Sequence, residues 1–151
     1  MKYVCKTIIH LPRREVVKLW ADENNFKEWQ DGFVKIEHIH GDPGAIGSHS
    51  NIVLAQGNRT MELRETVISN NLPDEKSASY DHIHMTNTLT TRFKPLDEHS
   101  TEYIAEVEYT QFNGIIPKVM AWLFPGMFKK QNQKWVEQFR TFAESTSQSN
   151  T

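Results

Sequence analysis

The longest regular pattern of apolar and polar positions lies near the end of the chain. Phe128, Gln131 or Asn132, Trp135, Phe139 and Phe142 recur at spacings of three and four, which predicts a helix over 127–144 with an aromatic stripe on one face. Lys129, Lys130, Lys134, Glu137, Gln138 and Arg140 fall mostly on the other side. Such a helix is about 28 Å long, the width of a small domain, so the stripe needs a cover. Strands supply one. Short-period alternation and β-branched residues predict them over 2–10, 33–40, 48–56, 60–69, 76–83, 88–94 and 101–111. In the last, Tyr103, Ala105, Val107 and Tyr109 take one face and Glu102, Glu106 and Glu108 the other.

Helix signals fill the remaining gaps. Pro12 suits a first helical position ahead of Val16, Val17 and Trp20. Asp22 suits the cap of a second short helix carrying Phe26 and Trp29, which Asp31-Gly32 ends. The glycines over 41–47 predict a hairpin with unusual backbone angles. Pro117 and Pro125 predict a short helix, then a break at Phe124-Pro125-Gly126 before the long one. No repeat or linker divides the chain, so one domain over 1–145 is expected, with a flexible tail over 146–151. One antiparallel sheet with helices on one face is an α+β layout.

Composition narrows the class of protein. The 151 residues are enough for a sizeable core, and aromatics are 11%. The formal net charge of -2, with no basic stripe, argues against a nucleic-acid partner. The single cysteine, Cys5, allows no internal disulfide and reads as core filler. The apolar run over 120–128 is too short to span a bilayer, and no signal-peptide pattern stands out. A cytoplasmic protein without membrane insertion is expected, as a monomer or weak homodimer.

The order of elements and several motifs resemble the START/Bet v 1-like superfamily (SRPBCC, polyketide cyclase-like), in a small bacterial-type form. The motifs are Leu11-Pro12-Arg13-Arg14-Glu15-Val16-Val17-Lys18-Leu19-Trp20-Ala21-Asp22, then Phe26-Lys27-Glu28-Trp29, then Gly44-Ala45-Ile46-Gly47. Phe124-Pro125-Gly126-Met127-Phe128-Lys129-Lys130-Gln131, leading to Phe139-Arg140-Thr141-Phe142-Ala143-Glu144, completes the set. The resemblance implies a helix-grip fold, a curved seven-stranded antiparallel sheet around the long helix with an apolar cavity between them. Members of that superfamily bind sterols, lipids, hormones or polyketides. Some catalyse cyclisation, dehydration or hydroxylation, and some activate a chaperone ATPase.

Strand parity and the helix stripe aim a defined set of side chains at that cavity. They are Leu63, Glu65, Tyr80, His82, Leu89, Thr91, Phe93, Tyr103, Val107, Tyr109, Trp122, Phe128 and Trp135. The alternative is a solid core. Glu65 bears on the choice, because an inward carboxylate costs several kcal/mol unless it is paired or wet. Glu65 and His82 lie on neighbouring strands and form a candidate acid–base dyad, with Tyr109 as a donor. The bland version is a hydrogen-bonded pair that only orients a ligand. His38/His40 and His82/His84 are spaced to share strand faces, but the two pairs stand about 14 Å apart, too far for one metal. No metal or cofactor is expected. Arg64 and Arg92 share a parity with Glu62 and are expected on the solvent face near Glu106 and Glu108. The leading expectation is a protein that binds or carries a small hydrophobic molecule, lipid or polyketide-like. The alternatives are a cyclase, dehydratase or hydrolase, and a chaperone-activator-like interaction module.

Overall fold

The computed structural model describes residues 1–149. Its strands are β1 (Lys2–Ile9), β2 (Phe33–His40), β3 (His49–Gln56), β4 (Arg59–Asn71), β5 (Glu75–Asp81), β6 (Met85–Asp97) and β7 (Ser100–Phe112). They form one antiparallel sheet in the order β1-β7-β6-β5-β4-β3-β2. Between β1 and β2 come α1 (Arg13–Ala21), a 3-10 turn (Glu23–Asn25) and α2 (Phe26–Trp29). The Asp22 side chain accepts a hydrogen bond from the Asn24 backbone N–H at 3.0 Å, which starts that turn. After β7 come α3 (Ile115–Leu123) and α4 (Pro125–Ser149), separated at Phe124 where Pro125 prevents a continuous helix.

Alternation makes each strand two-faced, and the curved sheet turns its apolar face toward α4. The packed core occupies one end of that concave face. Phe139 of α4 lies edge-on to Trp29 of α2 and Tyr103 of β7, with ring centroids 5.2 and 5.3 Å apart. Phe93 stacks on Tyr103 at 5.5 Å and meets Trp20 of α1 at 5.2 Å. Cys5, Ile9, Val16, Val136 and Ala143 close the same cluster, so Cys5 is core filler. Thr101, fully buried, gives its hydroxyl to the Leu11 carbonyl at 2.9 Å and pins the chain between β1 and α1 to the sheet. α4 runs along β1, where Asn132 donates to the Tyr3 hydroxyl at 2.7 Å and Gln133 to the Lys6 carbonyl at 3.2 Å. On the convex face, Lys2, Glu106, Arg92 and Glu75 form a cross-strand charge ladder, as the parity of Arg92 predicts.

α4 continues through Ser149, and the Ser147 hydroxyl bonds Glu15 of α1 at 3.0 Å; Asn150 and Thr151, the rest of the tail expected over 146–151, lie outside the described residues. Two expectations need correction. The hairpin between β5 and β6 is tighter than its sequence suggests, so β6 begins at Met85. A register shift between His38 and His40 breaks the period-two rule in β2. His38 therefore bonds Ser50 on the concave side, while the His40 ring lies 5.9 Å from that of His49.

Candidate functional site

Register carries a line of polar side chains straight across the concave face. His38 pairs with Ser50, Ser50 with Glu65, Glu65 with Tyr80, Tyr80 with Asn87, and Asn87 with Tyr109. Six strands thus contribute one residue each. Two residues away, the flanks beside Glu65 are apolar, with Ile36, Ile52 and Leu63 on one side and Val67, Ala78, Leu89 and Val107 on the other. The line is bonded internally. His38 Nδ1 lies 2.8 Å from Ser50 Oγ, and His38 Nε2 lies 2.8 Å from Glu23 Oε2, tying the 3-10 turn to the sheet. Tyr80 donates its hydroxyl to Glu65 Oε2 at 2.7 Å. Glu65 Oε1 accepts no hydrogen bond from the described residues.

This part of the face is less closely packed than the core end. Leu63, Glu65, Tyr80, Asn87, Leu89 and Tyr109 are only half-buried, as are Phe128 and Trp135 on α4. α4 runs closest to β1, at the edge of the sheet. These half-buried side chains line a trough between sheet and helix, in the place where the resemblance implies a cavity. Its rim at α4 is aromatic, with Phe128 against Tyr109 at 5.0 Å and the Trp135 indole donating to the Asp31 carbonyl at 3.0 Å. The two hollows that stand out elsewhere, of about 390 and 440 Å³, lie on the outer side of α4 and beside β1, away from the line of polar groups.

The residues aimed at the cavity by parity therefore divide. Leu63, Glu65, Tyr80, Leu89, Tyr109 and Phe128 face the trough. Thr91, Phe93, Tyr103 and Val107 share their parity but sit in the packed end, at most 4% exposed. Trp122 is 80% exposed on α3 and does not line the trough. Trp135 holds α4 to the turn at Asp31. His82 lies beyond the end of β5, with its ring 5.2 Å from that of His84 and its Nδ1 accepting the His84 backbone N–H. No polar contact joins it to Glu65 among the described residues, so the Glu65–His82 dyad is replaced by Glu65–Tyr80. Ser50 and Asn87 escape a reading of single strands, since only cross-strand register aligns them with Glu65. Their one signal is a polar residue at an inward position.

Electrostatics favours hydrogen bonding over proton release. Burial, then the neighbouring Glu65 charge, pushes the Tyr80 hydroxyl well above the usual tyrosine value, so it stays protonated and donates. Burial also raises Tyr109. Burial, then the nearby His84, pulls the His82 imidazole below its usual value. Among the described residues no three His, Cys, Asp or Glu side chains gather to hold a metal.

Comparison with solved structures settles the architecture. The chain is similar to TTHA0849 from Thermus thermophilus, with 13% identity, a TM-score of 0.78, and 97% of this chain and 99% of that one covered. It is similar to the Zhui aromatase/cyclase from Streptomyces sp. R1128, with 11% identity, a TM-score of 0.76 and coverage of 95% and 93%. Ara h 8.0201 aligns with 12% identity, a TM-score of 0.72 and coverage of 96% and 98%. The fold is the Bet v 1-like helix grip. At these identities the likeness extends to the fold alone. No family model matches the sequence, and no curated protein matches it.

Proposed function

We propose that the trough binds a small, mainly apolar molecule bearing a hydrogen-bond donor, a hydroxyl or phenol, which seats on Glu65. The observation that carries this is Glu65 itself. Its carboxylate is half-buried between apolar rows, one oxygen is held by Tyr80, and the other accepts nothing from the described residues. Such a group attracts a donor and repels a carboxylate or phosphate. Leu63 and Leu89 supply the apolar floor, and Phe128 and Tyr109 an aromatic wall. Carriage or sensing fits better than turnover. Tyr80 is held protonated and His82 stands outside the pair, so Glu65 has no proton-transfer partner among the side chains bonded to it in the described residues.

A matched pair of probes tests this. A naphthol and the corresponding naphthoate have similar apolar bodies and opposite hydrogen-bonding heads. Intrinsic fluorescence titration should give saturable binding of the naphthol and at least about tenfold weaker binding of the naphthoate, the equivalent of about 1.4 kcal/mol. Glu65→Gln should narrow that gap. Equal affinities, or a gap that survives Glu65→Gln unchanged, would overturn the assignment. Native mass spectrometry of protein from its own host should then carry a co-purifying apolar alcohol or phenol.

A further inference from the structure

Among the described residues, the one α-helix with no buried side chain, α3, is the most apolar. Ile115, Ile116, Val119, Trp122 and Leu123 recur at helical spacing and form a stripe along α3. In a core-facing helix that stripe is covered. Here Ile115, Ile116 and Trp122 are 79%, 77% and 80% exposed, and no residue of α3 is buried. Phe124 and Met127 continue the exposed surface into α4. A contiguous patch of this size on a single chain marks a binding surface.

Charge identifies what it binds. Between Glu108 and Glu137 there is no acidic residue, although the chain holds 19 Asp and Glu. Four lysines lie in that interval, Lys118, Lys129, Lys130 and Lys134. Lys134 is bonded to Asp31 at 2.8 Å, while Lys118, Lys129 and Lys130 make no ion pair among the described residues. An acidic protein has therefore kept its most exposed apolar stretch free of carboxylates and flanked it with ammonium groups. The same stretch of a second copy of this chain offers no carboxylate to meet those lysines. We propose that α3 and the first two turns of α4 form a docking surface for an anionic lipid membrane. α3 lies in the interfacial plane, Trp122 enters the boundary between headgroups and acyl chains, and the lysines meet lipid phosphates. No helix among the described residues is long and apolar enough to cross a membrane, so the chain lies on the bilayer. The surface stands at the end of the sheet where Asn113 holds the β5–β6 hairpin, through its N–H to His84 O at 2.7 Å and its amide to Ile83 O at 3.2 Å. Ile83, at the tip of that hairpin, is 76% exposed and extends the patch. This docking does not depend on the trough being a ligand site.

Vesicle co-sedimentation of the full chain tests it, comparing pure phosphatidylcholine with phosphatidylcholine and phosphatidylglycerol in equal parts. Each lysine at an anionic surface is worth about fivefold in partitioning. Wild type should therefore favour the mixed vesicles by at least about tenfold. K129E/K130E should lower that partitioning by at least about 25-fold, and I116S/W122S should abolish it, each variant melting like wild type. Lys94→Glu, in the convex part of β6, should bind like wild type. Trp122 fluorescence should shift to the blue with the mixed vesicles. Failure to bind them, equal binding to both compositions, or K129E/K130E binding like wild type would overturn the proposal. So would a dimer in sedimentation analysis that I116S/W122S dissociates while vesicles capture nothing, which would assign the face to a second copy.

Discussion

An alkaline titration addresses all four tyrosines of the chain at once. Burial is the main cause that raises Tyr3, Tyr80, Tyr103 and Tyr109 above the usual tyrosine value in the folded state. A raised folded value means that the native chain keeps the proton after the unfolded chain has released it. Stability is then full below about pH 10 and falls as the pH rises toward the folded values. Each such phenol contributes a slope of about 1.4 kcal/mol per pH unit in that window. Tyr3 and Tyr103 are 9% and 4% exposed and should give the full effect, about 2.7 kcal/mol per unit together. Tyr80 and Tyr109 are half-buried and add less, so the total should stay below about 5.4. A domain stable by about 5–15 kcal/mol is then unfolded by base within a few pH units. Urea midpoints at successive pH values above 9, read beside the ultraviolet absorbance of phenolate, measure both quantities. Phenolate should appear only as the tertiary circular-dichroism signal is lost. Phenolate rising near pH 10 in a chain that keeps its tertiary signal, or a slope under about 1.4 kcal/mol per unit, would refute the burial argument.

Other substitutions separate packing from hydrogen bonding. Phe139→Ala removes a fully buried ring in contact with Trp29 and Tyr103, and should cost about 3–5 kcal/mol in urea unfolding. Thr101→Val leaves the Leu11 carbonyl without its buried donor, and should cost about 1–3 kcal/mol by the same assay. Gly32→Ala places a Cβ 2.9 Å from the Ala55 carbonyl oxygen at a φ of +90, and should destabilise by at least about 1–2 kcal/mol. Tyr80→Phe removes the donor that orients Glu65. Naphthol affinity should fall about fivefold, the equivalent of about 1 kcal/mol, with the melting transition little changed.

The fold is largely legible in the sequence because one face of most strands is more apolar and less exposed than the other. Parity sets Leu63, Glu65, Tyr80, Leu89 and Tyr109 on the concave side, and register agrees. Parity does not say how far the cover extends. Phe93 and Tyr103 obey the same alternation as Leu89 and Tyr109, yet they are core because α1, α2 and the far half of α4 pack over them. A register shift takes His38 and His40 off a shared face, and a tight hairpin takes His82 away from Glu65; both are local backbone events that side-chain patterns do not record. Spacing places Trp122 inside because an apolar helical stripe ordinarily seeks a core. Nothing in that spacing distinguishes a stripe covered by its own chain from one left for a partner. The alignment of Ser50, Glu65, Tyr80 and Asn87 is a property of the assembled sheet.

The most direct test is to map where the apolar probe sits, by following backbone amide chemical shifts during titration with the naphthol. Shifts concentrated at Leu63, Glu65, Tyr80, Asn87, Leu89 and Phe128, with the convex neighbours Arg64 and Thr90 still, are the result predicted here. Shifts gathered on the outer side of α4 near Lys129 and Gln133, or no saturable shifts while Tyr80 and Leu89 remain solvent-accessible, would contradict a binding trough.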